Sequence, residues 1–261
     1  DDLDFADDLA LLSGNHQHMQ EKTRLLTETS KSLGLKIHPG KTKVMKMNNK
    51  ADIAITVEGQ PLEVVDQFTY LGSILDGKGG TTVDIKSRLG KARAAFKNLQ
   101  KIWKDRTIST KTKLRLFNSN VKSVLLYGCE TWSPTADCTK KLQTFVNNCL
   151  RRILRISWPK TIRNEDLWER TGQKPIADVI GTRRWRWIGH TLRKPVSSTP
   201  RHALRWNPSG QKKRGRPRTT WRRVMEEDMQ RENLTWNEVV RCSQDRDKWK
   251  SVVCGLYPGK G

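Results

Sequence analysis

The sequence predicts an α+β chain in three stretches. A small unit of β-hairpins and one helix covers residues 1–76, a helical region covers 77–157, and a mostly helical, basic extension covers 158–261 with a linker at about 195–217. Three observations predict this. Short apolar runs broken by turn residues fill the first 76 residues. From residue 83 onward apolar residues recur at the helical period. The composition also changes along the chain: residues 1–100 hold 14 Lys+Arg against 13 Asp+Glu, whereas residues 101–261 hold 36 against 14 and all ten Trp.

Taken in order, Leu3-Asp-Phe-Ala-Asp-Asp-Leu-Ala-Leu-Leu12 places two apolar runs on either side of an acid pair. This reads as a β-hairpin with Asp7 and Asp8 at its tip, or alternatively as a helix capped by Asp. Asn15 is placed to cap a helix carrying Met19, Leu25, Leu26 and Leu33 and stopped by Gly34. Leu35-Lys36-Ile37 alternates before the Pro39-Gly40 turn, and Ile53, Ile55 and Val57 alternate before the Glu58-Gly59-Gln60 turn. Val64-Val65 and the run from Phe68 to Leu75 supply two more short strands.

Helices follow. Thr82 is placed to cap one whose apolar stripe is Val83, Ile85, Leu89, Ala92, Phe96, Leu99 and Trp103. Ser109 or Thr110 opens the next, with Leu114, Phe117, Val121, Val124 and Leu125 on one side. A third runs from about Ala136 to Ile156 and is broken by Trp158-Pro159. Asn164 is placed to cap a short helix ending at Gly172, and Pro175 suits the first turn of another that ends near Arg193. Thr219 or Thr220 opens a helix to about Glu232. Thr235-Trp-Asn-Glu238 has the form of a capping box for a last helix that ends before Gly255.

Composition bounds the function. The formal net charge of +23 on 261 residues points to a polyanionic partner. The five Cys are odd in number and contain no CxxC pair, which argues against a disulfide framework and for a reducing compartment. No apolar run approaches the ~20 residues of a membrane span. The opening Asp-Asp-Leu-Asp has neither Met nor a signal pattern, so residue 1 is expected to lie inside a domain.

The acid pair is the chemical centre. Nucleotidyl transfer uses two divalent cations to hold the attacking and leaving oxygens in line, and Mg²⁺ favours carboxylate oxygen. An ordinary turn or cap would also use Asp. The flanking residues weigh towards metal binding: Phe5-Ala6-Asp7-Asp8-Leu9-Ala10-Leu11-Leu12 resembles the catalytic hairpin of reverse transcriptases, and Asp1-Asp2-Leu3-Asp4 before it resembles the LINE-like (non-LTR) version, particularly its RTE-type branch. The resemblance implies that Asp7 is the main metal ligand and Asp8 the second. It also implies a third Asp on a strand upstream of residue 1. Gly34-Leu-Lys-Ile-His-Pro-Gly-Lys-Thr-Lys43 resembles the next palm motif, which carries a Lys near the incoming nucleotide. Lys41 is the better match and Lys43 the second, while a surface turn Lys is the plain alternative. Phe68-Thr69-Tyr70-Leu71-Gly72-Ser73 resembles the primer-grip hairpin, in which Gly72 would admit a close backbone approach. A strand with a bulge is its plain alternative.

The same resemblance makes residues 77–157 a thumb that grips duplex. Lys111, Lys113, Arg115 and Lys122 fall on one of its helices and Arg151, Arg152 and Arg155 on another, as candidate phosphate contacts or as solvated faces. In Arg183-Arg184-Trp185-Arg186-Trp187, Arg could meet phosphate and Trp could stack on bases, with one of the two Trp expected in the core. Lys212-Lys213-Arg214-Gly215-Arg216-Pro217-Arg218 is the densest basic run. It reads as a flexible basic linker, an AT-hook-like minor-groove element or a nuclear localisation signal. The Cys spacings of about ten residues do not suit zinc, so no zinc site is expected.

The expectation is therefore a partial reverse-transcriptase palm, a thumb-like region and a basic extension. The activity implied is RNA-directed DNA synthesis with two Mg²⁺ (or Mn²⁺) ions, an RNA template, a DNA primer or target, and deoxynucleoside triphosphates. The expected location is the nucleus, with assembly on RNA in the cytoplasm and no membrane partner. Without the upstream acid the chain alone is expected to be inactive. The alternative is a non-catalytic, basic nucleic-acid-binding protein.

Overall fold

The computed structural model describes residues 2–47, 53–77, 79–205 and 220–257. It divides into two compact units at Val83/Asp84. The break expected at 76/77 thus falls seven residues later. The one expected at 157/158 is not a unit boundary, because the residues on either side of it share a core.

The first unit is built from hairpins. β1 (Asp2–Phe5) and β2 (Asp8–Leu11) pair antiparallel with Phe5 opposite Asp8. Asn15 then caps α1 (His16–Ser32), its side chain accepting from the Gln17 amide at 2.8 Å. Gly34 ends the helix at φ 77°, where the Leu35 amide reaches back to the Ser30 carbonyl. The apolar stripe expected on α1 buries only in part: Met19 packs on a small core and Leu26 is half-buried, but Leu25 is 60% and Leu33 71% exposed, and Thr23 is the one buried residue of the helix. Gln20 also ties α1 to this unit, its amide accepting from the Thr56 N–H and donating to the Thr56 carbonyl, both at 2.9 Å. Residues 35–37 are not a strand; the pairing in this region is parallel, between β3 (Lys43–Val44) and β6 (Glu63–Val64). β4 (Thr56–Val57) and β5 (Gln60–Pro61) turn through Glu58 and Gly59, both at positive φ. β7 (Gln67–Tyr70) and β8 (Ser73–Asp76) turn through Leu71 and Gly72 in the same way, the left-handed pair that matches strand twist. A small core of Ile55, Val57 and Leu62 packs against Met19, Ile37 and Val44.

The second unit is helical. α2 (Thr82–Asn98) buries Ile85, Leu89, Ala92 and Phe96, and α3 (Gln100–Lys104) adds Trp103, stacked on Phe96 at 5.0 Å. Ser109, not Thr110, caps α4 (Thr110–Leu116). The helix continues through a π-helical stretch (Phe117–Lys122) into α5 (Ser123–Leu125), which turns Phe117, Val121 and Leu125 into the core. α6 (Ala136–Ile153) buries Leu142, Val146, Cys149 and Leu150. It ends before the Trp158-Pro159 break: Arg155 takes φ 57° and the Ile156 amide bonds the Arg151 carbonyl. α7 (Asn164–Thr171) stops at Gly172. Asn164 is not its cap; the side chain accepts from Asn147 and Arg151 instead.

α8 (Ile176–Leu192) spans both apolar clusters of this unit, with Ile176 and Ile180 in the first and Trp185, Ile188 and Leu192 in the second. The linker expected at 195–217 contains α9 (Thr199–Arg205), a helix whose first turn accepts Pro200 and which buries Leu204. Thr220 caps α10 (Trp221–Arg231), and the Thr235–Glu238 capping box is present at α11 (Trp236–Gln244). The last helix is two. Asp245 accepts from the amides of Asp247 and Lys248 and starts α12 (Arg246–Leu256), so Gly255 lies inside a helix. No helix among the described residues is long and apolar enough to cross a membrane.

Burial divides the thiols. Cys129, Cys138 and Cys149 are buried, Cys242 is half-buried and Cys254 exposed, and burial pushes Cys129 and Cys149 up to about 12. Because the thiolate is the reactive form, brief iodoacetamide treatment of the native protein should label Cys254 first and Cys242 next. The three buried thiols should react only after denaturation, as read by peptide mass spectrometry.

Candidate nucleic-acid and metal site

Asp7 and Asp8 occupy the bend of the β1–β2 hairpin. Ala6 takes φ 54° to make the turn, Asp7 follows, and Asp8 opens β2. Both carboxylates are exposed, so their charge is solvated and open to a ligand. The chain does not form the alternative helix here. The strand beside the pair is tied to the second hairpin: the Tyr70 hydroxyl donates to the Leu3 carbonyl at 3.3 Å. Tyr70, Leu71 and Gly72 therefore lie on the tip of β7–β8, next to the strand that leads into the acids.

Lys41 is exposed in a turn, where its amide donates to the His38 carbonyl. Among the described residues no hydrogen bond or ion pair joins it to the acid hairpin. Lys43, the second choice, is engaged with Glu63 across the β3–β6 pair.

Two carboxylates suit a hard cation in charge and donor type. Among the described residues no third His, Cys, Asp or Glu joins them to form a metal-binding group. They would fill only part of an octahedral shell, and water and phosphate oxygens would complete it.

The basic candidates separate into exposed and structural groups. Lys111, Arg115, Arg152 and Arg186 are exposed. Lys113 is not a phosphate contact: it is 3% exposed, and its ammonium donates to the carbonyls of Trp103 and Asp105 at the C-terminal end of α3. Arg184 is likewise 3% exposed, donates to the Trp132 carbonyl at 2.8 Å and lies 3.9 Å from Asp228. Trp185 is fully buried with its indole N–H on Asp228 at 2.8 Å, so it is the core Trp of its segment and offers no stacking face. Trp187 is half-buried against Trp221. Arg183 donates to the Leu126 carbonyl, Arg151 to Ile162 and Asn164, and Arg155 to Lys104 and Asp105. Lys122 donates to Gln173, and burial, with Arg183 nearby, brings it down to about 8. Lys212, Lys213, Arg214, Arg216 and Arg218 lie outside the described residues.

Sequence reasoning missed an indole that is available. Trp158 is 88% exposed, in a stretch with exposed Arg152, Lys160 and Arg163. The Pro after it drew attention to helix breaking, while the basic flanks were the usable signal.

Comparison with known proteins gives two matches. Residues 95–127, from the end of α2 through the π-helical stretch to the turn after α5, match a domain of unknown function (DUF6451). The chain is also 26% identical, over 267 residues, to "Putative uncharacterized transposon-derived protein F52C9.6" of Caenorhabditis elegans, a similarity covering 96% of this chain and 94% of that protein. No solved structure matches. The similarity runs nearly end to end and links the chain to transposon-derived sequence.

Proposed function

We propose that residues 2–76 carry the acid-bearing part of an RNA-directed DNA polymerase site, of the kind encoded by LINE-like transposable elements. The observation that carries this reading is the exposed Asp7–Asp8 pair on a tight hairpin whose first strand is tied through Leu3 to Tyr70 of the primer-grip-like hairpin. The nearly end-to-end similarity to a transposon-derived protein supports the element class. Bound Mg²⁺ or Mn²⁺ would stabilise charge on the attacking and leaving oxygens of an in-line displacement. Asp7 and Asp8 supply anionic oxygen ligands and hold them at the turn. Gly72, at φ 79°, has no side chain to bar a primer backbone from the tip of β7–β8. An RNA template, a DNA primer and deoxynucleoside triphosphates are the partners this role requires.

The test is primer extension on an RNA template with Mg²⁺ or Mn²⁺, by a longer reading frame that contains this chain. Asp7→Ala should reduce extension by roughly a hundredfold or more while leaving affinity for the RNA–DNA hybrid nearly unchanged. The 261-residue chain assayed alone should extend nothing. Unchanged extension by the Asp7 variant would remove the pair from the chemistry, and extension by the chain alone would show that it needs no further acid.

A second reading, nucleic-acid binding without catalysis, is favoured by the exposed Lys111, Arg115, Arg152 and Arg186 and by the bare Trp158 ring. It predicts binding that is indifferent to Asp7 and falls steeply with salt.

A further inference from the structure

α8 and α12 lie against each other in the second unit and enclose a cleft of about 370 Å³. Its cationic lining is Lys174, Arg186, Arg193, Arg246 and Lys250, together with His190, and no carboxylate among the described residues lines it, the nearest on the α8 stripe being Asp178, which lies within electrostatic reach of Lys174. The arrangement follows from helical spacing. Thr182, Arg186 and His190 recur every four residues on α8, and Arg246 and Lys250 do so on α12, so each helix presents a polar stripe along the seam. Below the stripes, Trp249, Val253 and Tyr257 line the cleft and bury most of their surface.

The cations are not consumed by the fold. Arg186, Arg246 and Lys250 are exposed and enter no ion pair among the described residues. Among the described residues Lys174 donates to the Tyr257 carbonyl and lies within electrostatic reach of Asp178, and Arg193 donates to the Ser243 carbonyl, so each keeps donors to spare. Thr182 adds a buried hydroxyl with no hydrogen-bond partner among the described residues. Like charges held along one cleft repel one another at close range, and an anion threaded between them reverses the sign of that interaction. Trp249 cannot stack on a base: it is 4% exposed and its indole N–H donates to the Trp185 carbonyl at 3.1 Å. Dense positive charge without an open stacking face suits a phosphate backbone, which needs no stacking.

We propose that the α8–α12 cleft is a phosphate-backbone site for nucleic acid, binding by charge and without reading sequence. The proposal requires the chain to bind nucleic acid. It does not require Asp7 and Asp8 to hold metal, so the binding assay is run in EDTA, where failure of the polymerase reading cannot affect it.

The experiment compares three forms of the full chain by fluorescence anisotropy on a labelled mixed-sequence oligonucleotide across a salt series. These are the wild type, the triple variant Arg186→Gln/Arg246→Gln/Lys250→Gln, and a charge-matched control, Lys91→Gln/Lys97→Gln/Lys101→Gln, whose residues are exposed on α2 and α3. Thermal melts confirm that all three are folded. The cleft variant should bind roughly tenfold or more weakly at ~0.1 M salt, with a log–log salt slope shallower by about two to three. The control should lose much less of either. Amide exchange of the wild type should show oligonucleotide-dependent protection over 182–193 and 246–254. Equal losses in the cleft and control variants, or protection confined elsewhere, would overturn the proposal. So would tight polyglutamate binding that only the cleft variant loses while its oligonucleotide binding is intact, which would assign the cleft to an acidic polypeptide.

Discussion

Asp228→Ala is expected to destabilise the second unit by about 3–5 kcal/mol, the cost of stranding a buried charge whose partner is removed. Asp228 is 3% exposed and sits where four groups converge. It accepts from the Trp185 indole at 2.8 Å, the Tyr257 hydroxyl at 2.6 Å and Arg231 at 2.9 Å, with Arg184 at 3.9 Å. These donors come from α8, α10 and the end of α12, so one carboxylate satisfies groups from three helices. Its loss leaves the Arg184 guanidinium without its counter-charge and the Trp185 N–H and Tyr257 O–H without their acceptor, each carrying a desolvation cost. Since whole domains are stable by only about 5–15 kcal/mol, the variant should unfold at much lower urea, seen in tryptophan fluorescence. Asp228→Asn keeps acceptor oxygen but not the charge and should fall between the two. A midpoint for Asp228→Ala close to wild type would mean that the network contributes little to stability.

Gly189→Ala is expected to cost roughly 3 kcal/mol, through overpacking and a lost buried hydrogen bond. A β-carbon at Gly189 would sit 2.0 Å from the Trp249 indole nitrogen and 2.5 Å from two ring carbons, all within a buried ring that has nowhere to retreat. Displacing the ring also breaks its bond to the Trp185 carbonyl. The same substitution at Gly90 on α2 meets nothing within 4 Å. There it should stabilise by about 0.5–1 kcal/mol, because Ala is the better helix former. Opposite signs for one chemical change, measured by urea denaturation of the two variants, would establish that α12 packs on α8 through the space that Gly189 leaves open. Similar effects at both positions would not.

Local chemistry was legible in the sequence, and partnership across the chain was not. The acid hairpin, the Asn15 and Ser109 caps, the Glu58-Gly59 turn and the Thr235–Glu238 box each depend on residues within a few positions of one another, and each formed. Lys113 reads as one of a row of helix-surface cations until the Trp103 carbonyl ten residues earlier is known to lie under it. Arg184 needs Trp132, and Trp185 needs Asp228 forty-three residues later. No spacing rule supplies such pairs. Asp245 interrupts a continuous helical pattern because its side chain caps α12 better than its backbone continues α11, a competition that periodicity does not register. Leu25 and Leu33 failed for the opposite reason: their period is helical, but nothing in the described first unit packs over them. Of the cleft cations only Arg186 was legible as a phosphate contact; Arg246 and Lys250 were not, because the break at Asp245 that starts their helix was not read.

One helix axis runs through both apolar clusters of the second unit, Ile176 and Ile180 belonging to one and Trp185, Ile188 and Leu192 to the other. Neither cluster can therefore order itself without setting the direction of the rod on which its neighbour is assembled. Severing the polypeptide on either side of that rod opens an oily seam in whichever portion loses it, so an insertion or truncation within residues 176–192 forfeits two interiors at once.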